Sequence, residues 1–278
     1  MFHKLIVPAC FMLVSLLSFS CDTGTVKNSH IMPPSTTNME ELILESGVEN
    51  ITISPQTRIE RRVRNAAVKI TGKDLSGHGS GSYFIYRGFH LVITAYHVVD
   101  EIDPQHIVVI GKDRERVEAH LLYADAHNDI AVIQLKNVLK SRNPMPLTIS
   151  QNEPLAGDVL TYTGFPNGHE MLTFQGRIAG FENVRDNRHA ILIHTYGWFG
   201  SSGSCLFNER GQLVAILWGV DVEVFVMPQA QEDLIYASAA DVIDMNKVIL
   251  QACRHTQSSR PICRRALEND ILQRFRPE

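Results

Sequence analysis

The residues best suited to chemistry lie in the stretch Gly197-Trp198-Phe199-Gly200-Ser201-Ser202-Gly203-Ser204, which runs straight into the apolar Cys205-Leu206-Phe207. A serine between glycines, on a turn that enters a strand, is a usual seat for a nucleophile. Gly200 can take backbone angles that cost other residues energy, so its N–H and that of Ser202 can aim at one oxygen and stabilise charge developing there. Two partners stand earlier in the chain: a histidine in Thr94-Ala95-Tyr96-His97-Val98-Val99 and a carboxylate in Asn128-Asp129-Ile130-Ala131-Val132. With these, Ser202 would attack a carbonyl, His97 would take its proton and later give it to the leaving group, and Asp129 would hold the imidazole and stabilise its positive form. Such a base works when neutral, so activity would rise with pH through the range where histidine ordinarily loses its proton, about 6.5–7.

The three residues occur in the order His, Asp, Ser. That order belongs to chymotrypsin-like barrels; α/β-hydrolases run Ser…Asp/Glu…His and subtilisins Asp…His…Ser. The α/β-hydrolase elbow, Gly-x-Ser-x-Gly, also fails, because the second residue after Ser202 is Ser204. On these motifs the chain resembles the trypsin-like (chymotrypsin-fold) serine proteases, especially the compact bacterial HtrA-like kind without a PDZ domain, from about Val63 to Val248. Thr-Ala-x-His-Val matches the family's histidine motif, with Tyr96 replacing the usual alanine. Asp125 and His127 compete with Asp129, but only Asp129 has the family's Asp-[Ile/Leu]-Ala-[Val/Leu] pattern. The segments ending in Gly164-Phe165-Pro166 and running from Leu172 to Gly180 also look like HtrA-type segments.

The resemblance implies an all-β fold of two six-stranded antiparallel β-barrels with a C-terminal helix. It implies a serine endopeptidase with the triad His97, Asp129 and Ser202, an oxyanion hole of Gly200 and Ser202 N–H groups, protein or peptide substrates, and no cofactor. Trp218-Gly219 resembles the edge along which the family lays substrate backbone. Tyr196, six residues before Ser202, stands near where the trypsin-like family sets charge preference. With no carboxylate there, and Phe199 beside the loop, small or apolar side chains are expected at the cleaved bond. Ser201 occupies the position where trypsin-style activation needs an Asp to meet a new N-terminus, so activity without N-terminal trimming is expected. Two other readings use the same residues: a catalytically idle barrel kept as a binding module, and an esterase using the same acyl chemistry.

The elements needed to position these residues are legible as short runs rich in Val, Ile, Tyr and Thr separated by turns, the all-β pattern. In the first half they are 67–70, 82–86, 91–94, 107–110, 116–123 and 130–135; in the second, 157–164, 172–180, 190–194, 206–208, 213–217 and 235–238. Asp129 opens the apolar run 130–135, where a carboxylate is costly to bury unless something such as an imidazole N–H pairs with it. Gly77, Gly79 and Gly81 do not fit a phosphate loop and read as a turn before a strand. His189 and His194 have no cysteine or carboxylate cluster at ligand spacing and read as strand histidines, so no metal is expected. After the barrels, Asp241 to Leu250 reads as a helix, with Val242, Met245, Val248 and Ile249 on its apolar face and Asp241 near its start.

The domain organisation follows: an export signal at 1–21, a flexible linker or propeptide at 22–58, a protease domain at 59–252 and a C-terminal extension at 253–278. In the first segment Lys4 supplies positive charge, Leu5 to Leu17 is apolar and Ser18-Phe19-Ser20 is a small-x-small cleavage site. Ser20-Cys21-Asp22 also resembles a lipoprotein signal, in which Cys21 would carry lipid, the one expected route to a membrane. In either case the mature protein works outside the cytoplasm. The stretch from Asp22 to Gln56 is rich in Ser, Thr, Asn and Pro, as a tether or mobile arm would be. In the extension, Cys253 and Cys263 form a plausible disulfide for an exported protein, and Leu267, Ile271, Leu272 and Phe275 mark a last helix. A content of 44% hydrophobic residues allows a sizeable core in 278 residues, and a net charge of -4 with no basic run argues against nucleic acid as a main partner.

Overall fold

The apolar runs of the first half close on themselves. The computed structural model describes Leu5–Pro8 and residues 56–274 apart from 74–76, 101, 105, 185–187 and 225–227. After a short strand near the start, β1 (Leu5–Pro8), come β2 (Ala67–Thr71), β3 (Gly79–Tyr86), β4 (Phe89–Thr94), β5 (Ile107–Ile110), β6 (Arg116–Asp125) and β7 (Ile130–Leu135). The last six form a closed antiparallel barrel in the order β2-β5-β6-β7-β4-β3, with β2 pairing back onto β3. Closure leaves no edge strand within the barrel.

β7 is buried along its whole length. Ala131, Ile133 and Leu135 point into the barrel with Val68, Ile70 and Val92. Ile130 and Val132 face the opposite way, into a second cluster shared with the other half of the protein. A strand covered on both faces has no wet side, which is why its sequence is apolar at every position but Gln134 rather than alternating.

The second barrel consists of β9 (Val159–Gly164), β10 (Leu172–Asn183), β11 (His189–His194), β12 (Cys205–Phe207), β13 (Leu213–Val224) and β14 (Pro228–Ala239). Its order is β13-β12-β9-β10-β11-β14, closed by β13 pairing with β14. The two-residue β8 (Met145–Pro146) adds to β3 in parallel, and β1 adds to β13 antiparallel, with Pro8 opposite Gly219. Between the barrels, Phe84, Leu91 and Ile93 pack with Cys205, Phe207 and Leu213, and the Phe84 and Phe207 rings lie 6.0 Å apart. This shared core sets the loop after β4 against the turn before β12.

Four α-helices lie among the described residues: α1 (Arg58–Ala66), α2 (His97–Asp100), α3 (Met245–Thr256) and α4 (Pro261–Arg274). α1 begins inside the stretch read as linker. Its capping box is reciprocal: Glu60 N–H donates to the Thr57 hydroxyl and Thr57 N–H to the Glu60 carboxylate. It is anchored by Ile59, Val63 and Ala66.

α3 starts later than the sequence pattern predicts. Residues Ala240–Val242 form a separate 3-10 turn, and Asp244 rather than Asp241 caps the helix, accepting from Asn246 and Lys247 N–H at 3.1 Å each. Val242 is thereby left 41% exposed, off the apolar face, while Val248, Ile249, Ala252 and Cys253 are buried. The Sγ atoms of Cys253 and Cys263 are 2.07 Å apart, joining α3 to α4. Between them, Arg260 donates to Gly88 O at 3.0 Å and covers the Phe89 ring, which docks this extension on the first barrel. Ile271, expected on a packing stripe, is 53% exposed, and Phe275 and Cys21 lie outside the described residues.

Candidate active site

β4 ends at Thr94, and the chain turns directly into α2, which places His97 at the top of the first barrel. Asp129 stands one residue before β7, with φ 56, a left-handed conformation that Asp tolerates better than most residues. From there its carboxylate grips His97 twice. One oxygen lies 2.7 Å from Nδ1, and the other accepts the His97 backbone N–H at 2.8 Å. Asp129 is only 5% exposed, and these charge-assisted bonds offset the cost of burying it. They also require Nδ1 to carry a hydrogen, which leaves Nε2 as the atom able to accept a proton. Asp125 instead binds Asn128, through N–H and side chain, so it caps the turn that delivers Asp129 and does not compete for His97.

Ser202 arrives from the second barrel. Its neighbour Gly203 has φ 85, and a Cβ there would lie 2.1 Å from Thr94 Oγ1 and 2.2 Å from Ser80 O. Only glycine lets the turn press this closely on the end of β4. Gly79 is equally confined: a Cβ would meet the Val98 side chain at 2.4 Å and Ser202 O at 3.1 Å. The serine turn is thus wedged against the elements that carry His97. Ser202 Oγ and His97 Nε2 are both buried, and neither has a hydrogen-bond partner among the described residues.

The backbone of the turn is tied off on one side. Phe199 O accepts from Asn167 N–H at 2.6 Å, Gly200 O from the Ser80 hydroxyl at 2.6 Å, Ser201 O from Ser204 N–H at 3.0 Å and Ser202 O from Ser80 N–H at 2.7 Å. In a trans peptide the N–H points opposite to the carbonyl that precedes it. Fixing Phe199 O and Ser201 O therefore fixes the directions of the Gly200 and Ser202 N–H groups. Those two donate to nothing among the described residues, whereas the N–H groups of Ser201 and Gly203 donate to Trp198 O and Leu217 O at 2.9 and 2.7 Å. Gly200 adopts φ 94, the positive angle expected of it.

The other residues singled out from the sequence take different places. The Trp218 ring is buried, packed on Tyr236 and covered by the Arg188 guanidinium 4.6 Å from its centroid. Gly219 pairs with both Tyr236 and Pro8. Tyr196 turns its ring outward onto Phe174 and is 40% exposed, while its carbonyl accepts from the Tyr162 hydroxyl. Phe199 meets Trp198 edge-on. Gly197 abuts Ile235 and Val220, where a Cβ would come within 2.3 and 3.0 Å of their side chains. Cys205, three residues after Ser202, is fully buried, and burial pushes its thiol up to about 12, so it is no rival nucleophile.

Three residues near the site carry no sequence signal that would have named them. Arg188 approaches Asp129 to 3.9 Å. His78 donates through Nε2 to Phe165 O at 3.0 Å beside Gly200, and burial holds it below the ordinary histidine value. Ser80 sits in the glycine-rich stretch read only as a turn.

With this geometry in place, the comparisons are concordant. The model of the trypsin-like peptidase domain matches residues 79–216. The Ectopseudomonas mendocina protein named probable periplasmic serine endoprotease DegP-like is 26% identical over 174 residues, 62% of this chain and 35% of that protein. A protein of the same name from Pseudomonas putida F1 is 24% identical over 70% of this chain and 40% of its own. The chain therefore spans well under half the length of these curated relatives. Among solved structures, the serine endoprotease from Yersinia pestis superposes with a TM-score of 0.53 at 23% identity, covering 70% of this chain and 67% of that one. Rv3671c from M. tuberculosis, in an inactive form, gives 0.52 at 18%, covering 73% and 92%. These two establish the likeness of fold, and with the domain match and the curated relatives they lead to one conclusion: the chain belongs to the trypsin-like serine proteases.

Proposed function

We propose that this protein is an exported serine endopeptidase in which Ser202 attacks a peptide carbonyl, His97 acts as base and then acid through Nε2, and Asp129 holds the imidazole. The observation that carries this reading is the tied-off serine turn, in which the Phe199 and Ser201 carbonyls are held so that the N–H groups of Gly200 and Ser202, which donate to nothing among the described residues, point the opposite way. A carbonyl seated there would have its developing negative charge met by two fixed dipoles in a buried site. The edge at Gly219 supports a peptide substrate: an extended segment, Leu5–Pro8, already pairs there antiparallel. Beneath Gly197, Ile235 and Val220 fill the space a long side chain would need, which favours small or apolar residues at the cleaved bond. Ser201 is buried without a carboxylate to meet a new amino terminus, which favours activity that needs no trypsin-style insertion of one. Work outside the cytoplasm rests on the apolar leader and on the relatives named periplasmic. No helix among the described residues is long and apolar enough to cross a membrane.

The test is turnover of a peptide library by the purified protein, with Ser202→Ala and His97→Ala beside it. Cleavage after small or apolar residues that both substitutions abolish is the expected result. Cleavage that survives Ser202→Ala, or efficient cutting after arginine, contradicts the assignment of nucleophile or of pocket respectively.

A further inference from the structure

We propose that Ser80, from the first barrel, is the positioning residue that keeps the oxyanion donor of Gly200 aimed at the substrate. The inference rests on the triad reading above and deepens it. Ser80 is fully buried, and its hydroxyl joins two segments of the second barrel. Phe165 N–H donates to Oγ at 3.0 Å, which leaves the hydroxyl hydrogen for Gly200 O at 2.6 Å. Its own N–H holds Ser202 O at 2.7 Å, and its carbonyl accepts from the Thr94 hydroxyl at 2.7 Å, two residues before the His97 turn begins at Tyr96.

The consequence for Gly200 follows from its two torsions. Glycine at φ 94 has little intrinsic preference for that angle, so the peptides on either side must be held from outside. On the C-terminal side the hold is the Ser80 hydroxyl on Gly200 O. On the N-terminal side it is Asn167 N–H on Phe199 O at 2.6 Å, and Asn167 lies two residues beyond Phe165, which Ser80 also binds. One hydroxyl thus restrains both neighbours of the Gly200 Cα, directly and through the 165–167 turn. Removing it releases Gly200 O outright and loosens the 165–167 turn that carries the Asn167 hold on Phe199 O, so the Gly200 N–H loses its fixed aim at the oxyanion. The loss falls on the transition state, because the ground-state carbonyl carries little of the charge this donor meets.

The experiment compares wild type with Ser80→Ala, using a peptide substrate, active-site titration with a fluorophosphonate and a peptide boronate that forms a tetrahedral anion on the serine. Removing an oxyanion donor outright costs about 10²–10³ in kcat, and misaiming one should cost roughly 10–100-fold. The expected result is that loss in kcat per titrated site, KM within about threefold of wild type, and boronate affinity reduced by the same factor as kcat. Ser80→Cys, similar in shape and a weaker donor, should fall between, and takes the place of Ser80→Ala if the alanine variant does not fold. A kcat per titrated site within about twofold of wild type, or a loss of kcat with boronate affinity unchanged, overturns the proposal while leaving the triad intact. Failure of the wild type to be labelled at Ser202 overturns the triad reading and this inference with it.

Discussion

Asp129→Asn is the substitution whose consequences the geometry dictates most closely. The carboxylate accepts two hydrogens at once, from His97 Nδ1 at 2.7 Å and from the His97 backbone at 2.8 Å. An amide has one accepting oxygen and one donating nitrogen. With the nitrogen toward the backbone N–H, two donors face each other and nothing can relieve the conflict. With the nitrogen toward the ring, the imidazole escapes by moving its proton from Nδ1 to Nε2. The second arrangement therefore wins, and it leaves a hydrogen on the atom that should take the serine proton. The fold survives but the base is lost. For the equivalent change in the family's type enzyme the loss in kcat is ~10⁴, about 5.4 kcal/mol of barrier. The effect on stability is smaller. One charge-assisted bond is weakened, worth about 1.5–3 kcal/mol, which at roughly 2–4 °C per kcal/mol lowers Tm by about 3–12 °C. Steady-state turnover per folded molecule gives the first number and a thermal melt the second; nitrogen NMR of His97 reads the tautomer directly. A folded Asn variant that keeps more than about a tenth of wild-type kcat, or whose imidazole still carries its hydrogen on Nδ1, refutes the reasoning.

Three further outcomes are expected. Gly203→Ala places a Cβ 2.1 Å from Thr94 Oγ1 and 2.2 Å from Ser80 O at a positive φ; strain and overpacking together should cost about 2–5 kcal/mol, read as lost soluble yield or a large drop in Tm, and a variant as stable as wild type contradicts the close approach of the two barrels. Replacing both Cys253 and Cys263 by serine removes a cross-link over a sequence separation of 10, worth about 2–3 kcal/mol, so Tm should fall while kcat stays unchanged; loss of kcat would tie the extension to the site. His78 is held below its ordinary value of 6.5, chiefly by burial, so the unfolded chain binds the extra proton more readily and stability, full above 6.5, is lost as pH falls toward the folded value. Thermal melts between pH 7.5 and 5 should therefore show a smaller decline for His78→Gln than for wild type, and identical declines contradict the assignment.

Much of this arrangement was legible before any coordinates. The twelve apolar runs became the twelve barrel strands because alternation and turn residues are local signals, and the run after Asp129, apolar but for Gln134, announced a strand covered on both faces. The triad candidates could be named because their flanking residues form patterns. What escaped was set by tertiary context. Ser80 reads as one residue of a glycine-rich turn, and its importance comes entirely from two segments more than eighty residues away that meet at its hydroxyl. Arg188 and His78 are likewise near the site through folding, not through spacing. The start of α3 shifted from Asp241 to Asp244 because either aspartate satisfies the local rule, and only the exposure of Val242 decides between them. α1 was different: the pair Thr57 and Glu60 carries a readable capping signal that a compositional reading of the linker passed over.

In the proposed mechanism His97, held by Asp129, activates Ser202 inside a site built from both barrels. Fluorophosphonate labelling of the full chain, followed by peptide mapping, tests it most directly. A single phosphonylated residue, Ser202, is expected, with labelling abolished in Ser202→Ala and slowed by orders of magnitude in His97→Ala. An unlabelled wild type, a label on another serine, or a rate indifferent to His97 would contradict it.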